Sequence, residues 1–354
     1  MDRDVAGVGA PDGELVFPFS DVPDCGEARE ILPGLVWARL PLPFSLAHIN
    51  VWLMEEEEGW ALVDTGCGIP ETQAIWGEFA DTVLKGKPIT RIFVTHHHPD
   101  HIGNAGYLSR FYGAPVHTSR TEYLLCRMIL DERAGDEPPG ELLEWMERVG
   151  YPDALRDKVA KEGRGGFRRL CSDLPLSYRR LQDGDMVEIG ARRFEVIVGK
   201  GHAPEHACFY CPDEPLLIAG DQVLPGISSN VSVTMMEPEG NPLDDWITSC
   251  EKLIDRLDPD TLVLPAHREP FRGAHIRLND LIQGHLDGLA TLKRECAEPR
   301  RAVDLFVSLF GRKIGEDHFG LAAGETVAHL NYLVARGEMA RGLGDDGAWR
   351  YQTL

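Results

Sequence analysis

No stretch of this 354-residue chain holds the roughly 18 consecutive apolar residues that a membrane-spanning helix needs. No membrane partner is therefore expected. The N-terminus, Met1-Asp2-Arg3-Asp4 and onward, is acidic and lacks the apolar core of a signal peptide, which points to a cytoplasmic protein. Cysteine is sparse. Eight in a chain of this length make no disulfide scaffold, and a reducing compartment would keep them as thiols. Positive charge is also short: 36 Lys and Arg face 57 Asp and Glu, a formal net charge of -21. Such a surface repels phosphate backbones, so nucleic acid is not an expected partner. Internal repeats and low-complexity tracts are absent.

What the chain does have is alternation of strand-like and helix-like segments over its first 280 residues or so. Residues 35–40, 49–54, 60–63, 91–95, 194–198, 207–210, 216–219 and 262–264 read as short buried strands, and 71–85 as a helix after Pro70. Strands this numerous, interleaved with helices, indicate a layered α/β or α+β domain. Residues from about 119 to 178 read as a helical insertion, broken by Pro138-Pro139-Gly140 and Gly163-Arg164-Gly165-Gly166. It serves either as extra core or as a lid over a site. From about residue 287 the pattern predicts a helix over 302–310, a second over 324–336, and a hairpin turning at Gly344-Asp345-Asp346-Gly347. Helices followed by a terminal hairpin suggest a winged-helix shape. The tail holds nine basic and ten acidic residues, without the basic stripe of a DNA reader, so packing or homodimer formation is its expected role.

The chemistry concentrates in His96-His97-His98-Pro99-Asp100-His101, directly after a predicted strand. Imidazole nitrogens and carboxylate oxygens are good ligands for zinc and similar divalent ions. A loop can turn the first histidines to one side and Asp100-His101 to another, so one segment can serve two adjacent metals. A surface run or a tag remnant is the plain alternative, but a tag sits at a terminus and does not contain Pro-Asp.

The chain resembles the metallo-beta-lactamase superfamily. Its His-x-His-x-Asp-His motif stands here as His96 to His101, the later Gly-His-x-Pro as Gly201-His202-Ala203-Pro204, the strand-end aspartate as Asp221, and the last histidine as His267. Arg268 takes the place of the glycine that usually follows that histidine. An upstream Asp64-Thr65-Gly66 is also typical. The resemblance covers about residues 30 to 280 and is closest in kind to glyoxalase II-like hydrolases. It implies a four-layer αββα sandwich in residues 1–286 and a small winged-helix-like domain in 287–354. It also implies two divalent ions, zinc first, with iron or manganese as alternatives. His96, His98 and His202 would hold one, Asp100, His101 and His267 the other, and Asp221 would bridge them. Asp64 would support the ligands or simply cap its strand.

The implied reaction is attack by a hydroxide held between the ions, with Asp100 as the catalytic carboxylate. The substrate would be a small thioester or ester, acyl-glutathione or acyl-CoA in type, or a lactone. A nuclease and an iron-dependent sulfur dioxygenase are the alternatives. Tyr123, Leu124, Met128, Trp145 and Met146 in the insertion suit a small organic substrate or a core. His97 is expected to face away from the metals. His206, four residues after His202, either takes a direct role or none, and Cys67 either approaches the site or is a small buried residue, while the Cys208-x-x-Cys211 pair, His48, His117, His275, His285, His318 and His329 receive no role. Ser228-Ser229-Asn230 is either pocket lining or a turn.

Overall fold

Alternate residues along the strands face opposite cores, and that alternation dictates the layering. On the segment 48–55, Ile49, Val51 and Leu53 pack into one cluster, while Trp52 and Met54 pack into another. On 206–211, Ala207, Phe209 and Cys211 join the second cluster, and Cys208 and Tyr210 a third. A strand buried on both faces needs a layer on each side.

The computed structural model describes residues 14–44, 46–131, 138–162 and 166–354. The N-terminal residues noted above, and Gly163, Arg164 and Gly165 of the expected break, lie outside them. One sheet has the order β1 (Ala28–Leu32), β2 (Leu35–Pro41), β3 (His48–Glu55), β4 (Trp60–Val63), β5 (Ile89–Phe93), β6 (Val116–Thr118) and β7 (Arg179–Arg180). The other runs from β8 (Met186–Ile189) through β9 (Arg192–Gly199), β10 (His206–Cys211) and β11 (Leu216–Gly220) to β12 (Leu262–Pro265). Trp37, Trp52, Phe93, Phe194 and Phe209 fill the space between the sheets, with Trp37 and Trp52 stacked at 6.1 Å.

Helices cover both outer faces, completing the expected αββα sandwich. They are α1 (Pro70–Thr82), α2 (Pro99–Ile102), α3 (Ala105–Tyr112), α4 (Arg120–Leu130), α5 (Gly140–Val149), α6 (Asp153–Glu162), α7 (Pro242–Arg256), α8 (Ala274–Glu295), α9 (Phe306–Phe310) and α10 (Glu316–Ala335). The insertion is helical, as its pattern predicts: α4, α5 and α6 lie within it. Tyr123 and Met146 are buried there, whereas Leu124 and Met128 are about half exposed.

The tail ends in the hairpin β13 (Met339–Leu343) and β14 (Trp349–Thr353), paired from Met339–Thr353 to Leu343–Trp349. The second tail helix starts earlier than its apolar stripe indicates, at Glu316. The expected division near residue 287 falls inside α8. Val327, Leu330, Leu333 and Tyr351 share one apolar cluster with Trp246 of α7 and Leu217 of β11. Arg336 pairs with Glu338 and Arg341 with Glu239, so those tail cations already have acidic neighbours. Among the described residues no helix is long and apolar enough to cross a membrane.

Where the strands aim the chain matters most. β4 and β5 are parallel neighbours, as are β11 and β12. Asp64, the histidine loop, Asp221 and His267 each follow the end of one of these strands. Parallel neighbours deliver their following loops to one edge, so these four loops meet there.

A candidate metal centre of two facing donor groups

His96, His98, His202 and Asp221 bring their ligand atoms within 4.8 Å of one another, and Asp100, His101 and His267 do the same. In the first group His96 Nε2 lies 2.8 Å from His98 Nδ1 and 3.2 Å from His202 Nε2. In the second, His267 Nε2 is 3.3 Å and His101 Nε2 3.6 Å from Asp100 Oδ2. Asp221 faces both: Oδ2 is 3.4 Å from His202 Nε2, while Oδ1 is 3.5 Å from His101 Nε2 and 3.4 Å from His267 Nε2. All seven sequence-predicted ligands therefore converge.

The donors are fixed from behind. His101 Nδ1 donates to Asp64 Oδ2 at 2.7 Å, which leaves Nε2 free to face Asp221. Asp64 also accepts from the Thr95 amide at 2.9 Å and from the Thr95 hydroxyl. That hydroxyl lies 3.1 Å from His96 Nδ1 and receives its proton, so Nε2 of His96 turns inward. His202 Nδ1 donates to the Asn230 carbonyl at 2.8 Å, and His267 Nδ1 to the His48 carbonyl at 2.9 Å. Such outer hydrogen bonds set both tautomer and ring orientation. Asp64 thus does more than cap its strand, and its backbone takes a left-handed φ of 61° to do so.

Other residues without an assigned role find one here. His97 turns away, as expected: its amide and Nδ1 both donate to the buried Glu122 carboxylate, at 2.9 and 2.5 Å. Glu122 sits on α4 in the insertion and also accepts from the Glu205 amide at 2.7 Å, linking the loops that carry His98 and His202. His206 Nε2 accepts the Asp221 amide at 3.1 Å. Its ring occupies the space beside Gly220, where an added Cβ would meet it at 2.5 Å. Cys67, Cys208 and Cys211 are simply buried. Glu122 carries no motif around it that reveals these contacts, whereas Thr95 directly precedes the histidine motif but reads as the end of a strand. Arg268, in place of glycine, keeps a glycine-like φ of 70°, and its carbonyl accepts from Asn50 Nδ2 at 2.8 Å.

Electrostatics separate the two groups. Burial, reinforced by the surrounding imidazoles, holds His96 and His98 well below the usual histidine value, so both rings are neutral. Burial acts the same way on His101, but Asp64, Asp100 and Asp221 overcome it and raise its value well above normal. His267 is raised too, by Asp221 and Asp100 against burial. Asp221 moves well below the carboxylate range, because His267 and His101 outweigh the opposing effect of burial.

These residues suit divalent cations. Nε2 of His101, Nε2 of His267 and Oδ1 of Asp221 are buried without a hydrogen-bond partner among the described residues, yet they face one another. Buried polar atoms are rarely left so. The carboxylates that draw protons onto two of the rings would equally draw a dication, and nitrogen and oxygen donors match zinc-like ions.

Residues 46–267 match the family described as the metallo-beta-lactamase superfamily. The chain belongs to that superfamily. Residues 289–354 match a second family, the metallo-beta-lactamase-like C-terminal domain. The chain is 27% identical to acyl-coenzyme A thioesterase MBLAC2 of Homo sapiens over 250 residues, 67% of this chain and 79% of the relative. It resembles the crystal structure of a beta-lactamase domain protein from Burkholderia ambifaria with a TM-score of 0.88 and 38% identity, over 96% of this chain and 98% of that one. A metallo-beta-lactamase family protein from Thermus thermophilus matches with a TM-score of 0.76 and 28% identity, over 92% and 100%. Family, thioesterase relatives and donor clusters together make this superfamily member a metal-dependent hydrolase.

Proposed function

We propose that this chain hydrolyses acyl thioesters of the acyl-coenzyme A or acyl-glutathione type at a binuclear site. The observation that carries the reading is the Asp221 carboxylate, whose two oxygens face two separate donor groups. His96, His98 and His202 would hold one ion, and Asp100, His101 and His267 the other, with Asp221 shared. Zinc suits this donor set best, and iron or manganese would also be accommodated. When bound, the ions supply Lewis acidity toward a carbonyl oxygen and acidify water.

The chain's own groups do the rest. Burial would raise the Asp100 carboxyl, but His101 and His267 bring it below the usual value, so it is ionised at neutral pH. Asp100 can then take a proton from the attacking water. The water oxygen bonds to the acyl carbon, the carbon–sulfur bond breaks, and Asp100 passes its proton to the departing sulfur. A carboxylic acid and a thiol leave, and the carboxylate is restored. Asp64, the Asn230 carbonyl and the His48 carbonyl keep the imidazoles oriented meanwhile.

Support for a thioester comes from the relatives that carry that activity in their names. A phosphodiester draws less support from a chain with net charge -21 whose tail residues Arg336 and Arg341 pair with glutamates. The test is a turnover panel with metal-loaded protein: acyl-CoA, acyl-glutathione, lactones, beta-lactams and phosphodiesters. Thioesters should turn over fastest, and a chelator should abolish that turnover. Turnover of phosphodiesters with none of thioesters would contradict the reading.

A further inference from the structure

A third polar cluster lies outside the two groups described above. His285 on α8, and Glu325 and His329 on α10, bring one ligand atom each within 4.8 Å of one another. His285 Nδ1 and His329 Nε2 stand 3.1 Å apart. The spacings from His96 to His98 and to His202 are 2.8 and 3.2 Å. Glu325 and His329 are four residues apart on one helix and so share a face.

The surroundings make these groups costly. Val327 and Leu330 of the same helix are fully buried, and the His285 ring lies 6.4 Å from the Trp246 ring. His285 is 6% exposed and His329 2%. His329 Nδ1 donates to the Glu325 carbonyl at 2.8 Å, which orients the ring and leaves Nε2 toward His285. His285 Nε2 is buried with no partner among the described residues. The Glu325 carboxylate accepts from Asn230 Nδ2 at 2.8 Å, but no lysine or arginine among the described residues forms an ion pair with it. Burial raises that carboxyl to about 7 and lowers His285 to about 3 and His329 to about 4. Both rings are thus neutral, the form that ligates metals. Hydrogen bonding alone leaves the part-buried Glu325 carboxylate without a positive counterpart. Buried polar and charged groups left so are unfavourable.

We propose that His285, Glu325 and His329 form a third metal site, taking one zinc-class divalent cation through two imidazoles and a carboxylate. This donor set suits such an ion. The ion would clamp α8 to α10. It would also stand one residue away from the first donor group, because Asn230 donates to Glu325 through its side chain and accepts from His202 through its carbonyl. The site does not depend on the assignment of the other two.

The experiment is a Zn(II) titration of metal-free protein read by native mass spectrometry. Wild type should take three ions per chain, and His285→Ala and His329→Ala two. His96→Ala should keep the ion at the third cluster, which separates failure of this site from failure of the other pair. Glu325→Gln keeps the volume and an acceptor for Asn230, so it guards against simple unfolding. It should retain the fold by circular dichroism while its third ion binds at least about tenfold more weakly, roughly 1.4 kcal/mol. A wild-type ion count that His285→Ala and His329→Ala leave unchanged, or a Glu325→Gln that binds as many ions as tightly as wild type, would overturn the proposal.

Discussion

The loop after β5 and the tail helix α10 both bring imidazoles into donor groups, and they do so in contrasting ways. The loop packs His96, His98, Asp100 and His101 into six residues, because a turning backbone aims neighbouring side chains in different directions. The helix can aim only residues about four apart at one target, so Glu325 and His329 sit among Val327, Ala328 and Leu330 of an apolar stripe. One segment announces its chemistry by composition, whereas the other passes for core. The loop would carry the reaction, and the helix would hold its surroundings in place.

That contrast can be broken in order of expected effect. His96→Ala should empty the first donor group and lower kcat/KM by on the order of a thousandfold or more, a loss of several kcal/mol in transition-state stabilisation. Metal content and steady-state kinetics check it, and unchanged values would end the metal-centre account. Leu330→Ala on α10 should act on stability instead. It should cost about 2–5 kcal/mol in denaturant unfolding, with turnover per folded molecule held within about twofold. A large kinetic defect without loss of stability would mean that the helix takes part in the reaction itself. Asp64→Asn keeps the shape but weakens the hold on His101, and a fall of roughly 10- to 100-fold in metal affinity is expected by competition with a chromophoric chelator.

A smaller effect concerns His206, which supports Asp221 from behind. Burial first, then His202, lowers its value to about 3, against 6.5 for an exposed histidine. Between those values the unfolded chain binds a proton that the native protein refuses, so native stability falls as pH drops through that window. His206→Gln removes this proton uptake. Urea unfolding of metal-free protein near pH 7.5 and near pH 5 should show the variant losing less stability over the interval than wild type. The smallest change is Arg268→Gly. It relieves a left-handed backbone and should shift stability favourably by no more than about 1 kcal/mol, readable as a change in Tm.

Much of this molecule was legible in its residues. The buried strands β2, β3, β4, β9, β10, β11 and β12 stand within a residue or two of their apolar runs, and the ligands lie at loops that follow strand ends. β1, β6, β7 and β8 were not legible: Arg179–Arg180 has only two residues, both charged, and Ala28–Leu32 is an edge strand only partly buried. Pairing with a neighbour defines such strands, and pairing is not visible locally. Glu122 was hidden for a similar reason. Its partners His97 and Glu205 lie 25 and 83 residues away. Asn230 drew notice as part of a polar turn, but its main contribution is a backbone carbonyl, which no side-chain pattern reports.

Anomalous X-ray scattering at the zinc edge, from crystals of metal-loaded protein, tests the central claim most directly. Two peaks are expected on either side of the Asp221 carboxylate, one within about 2.0–2.2 Å of nitrogens of His96, His98 and His202. The other should sit at bonding distance from Asp100, His101 and His267. The absence of any peak beside His96, or a lone peak with Asp221 uninvolved, would contradict it.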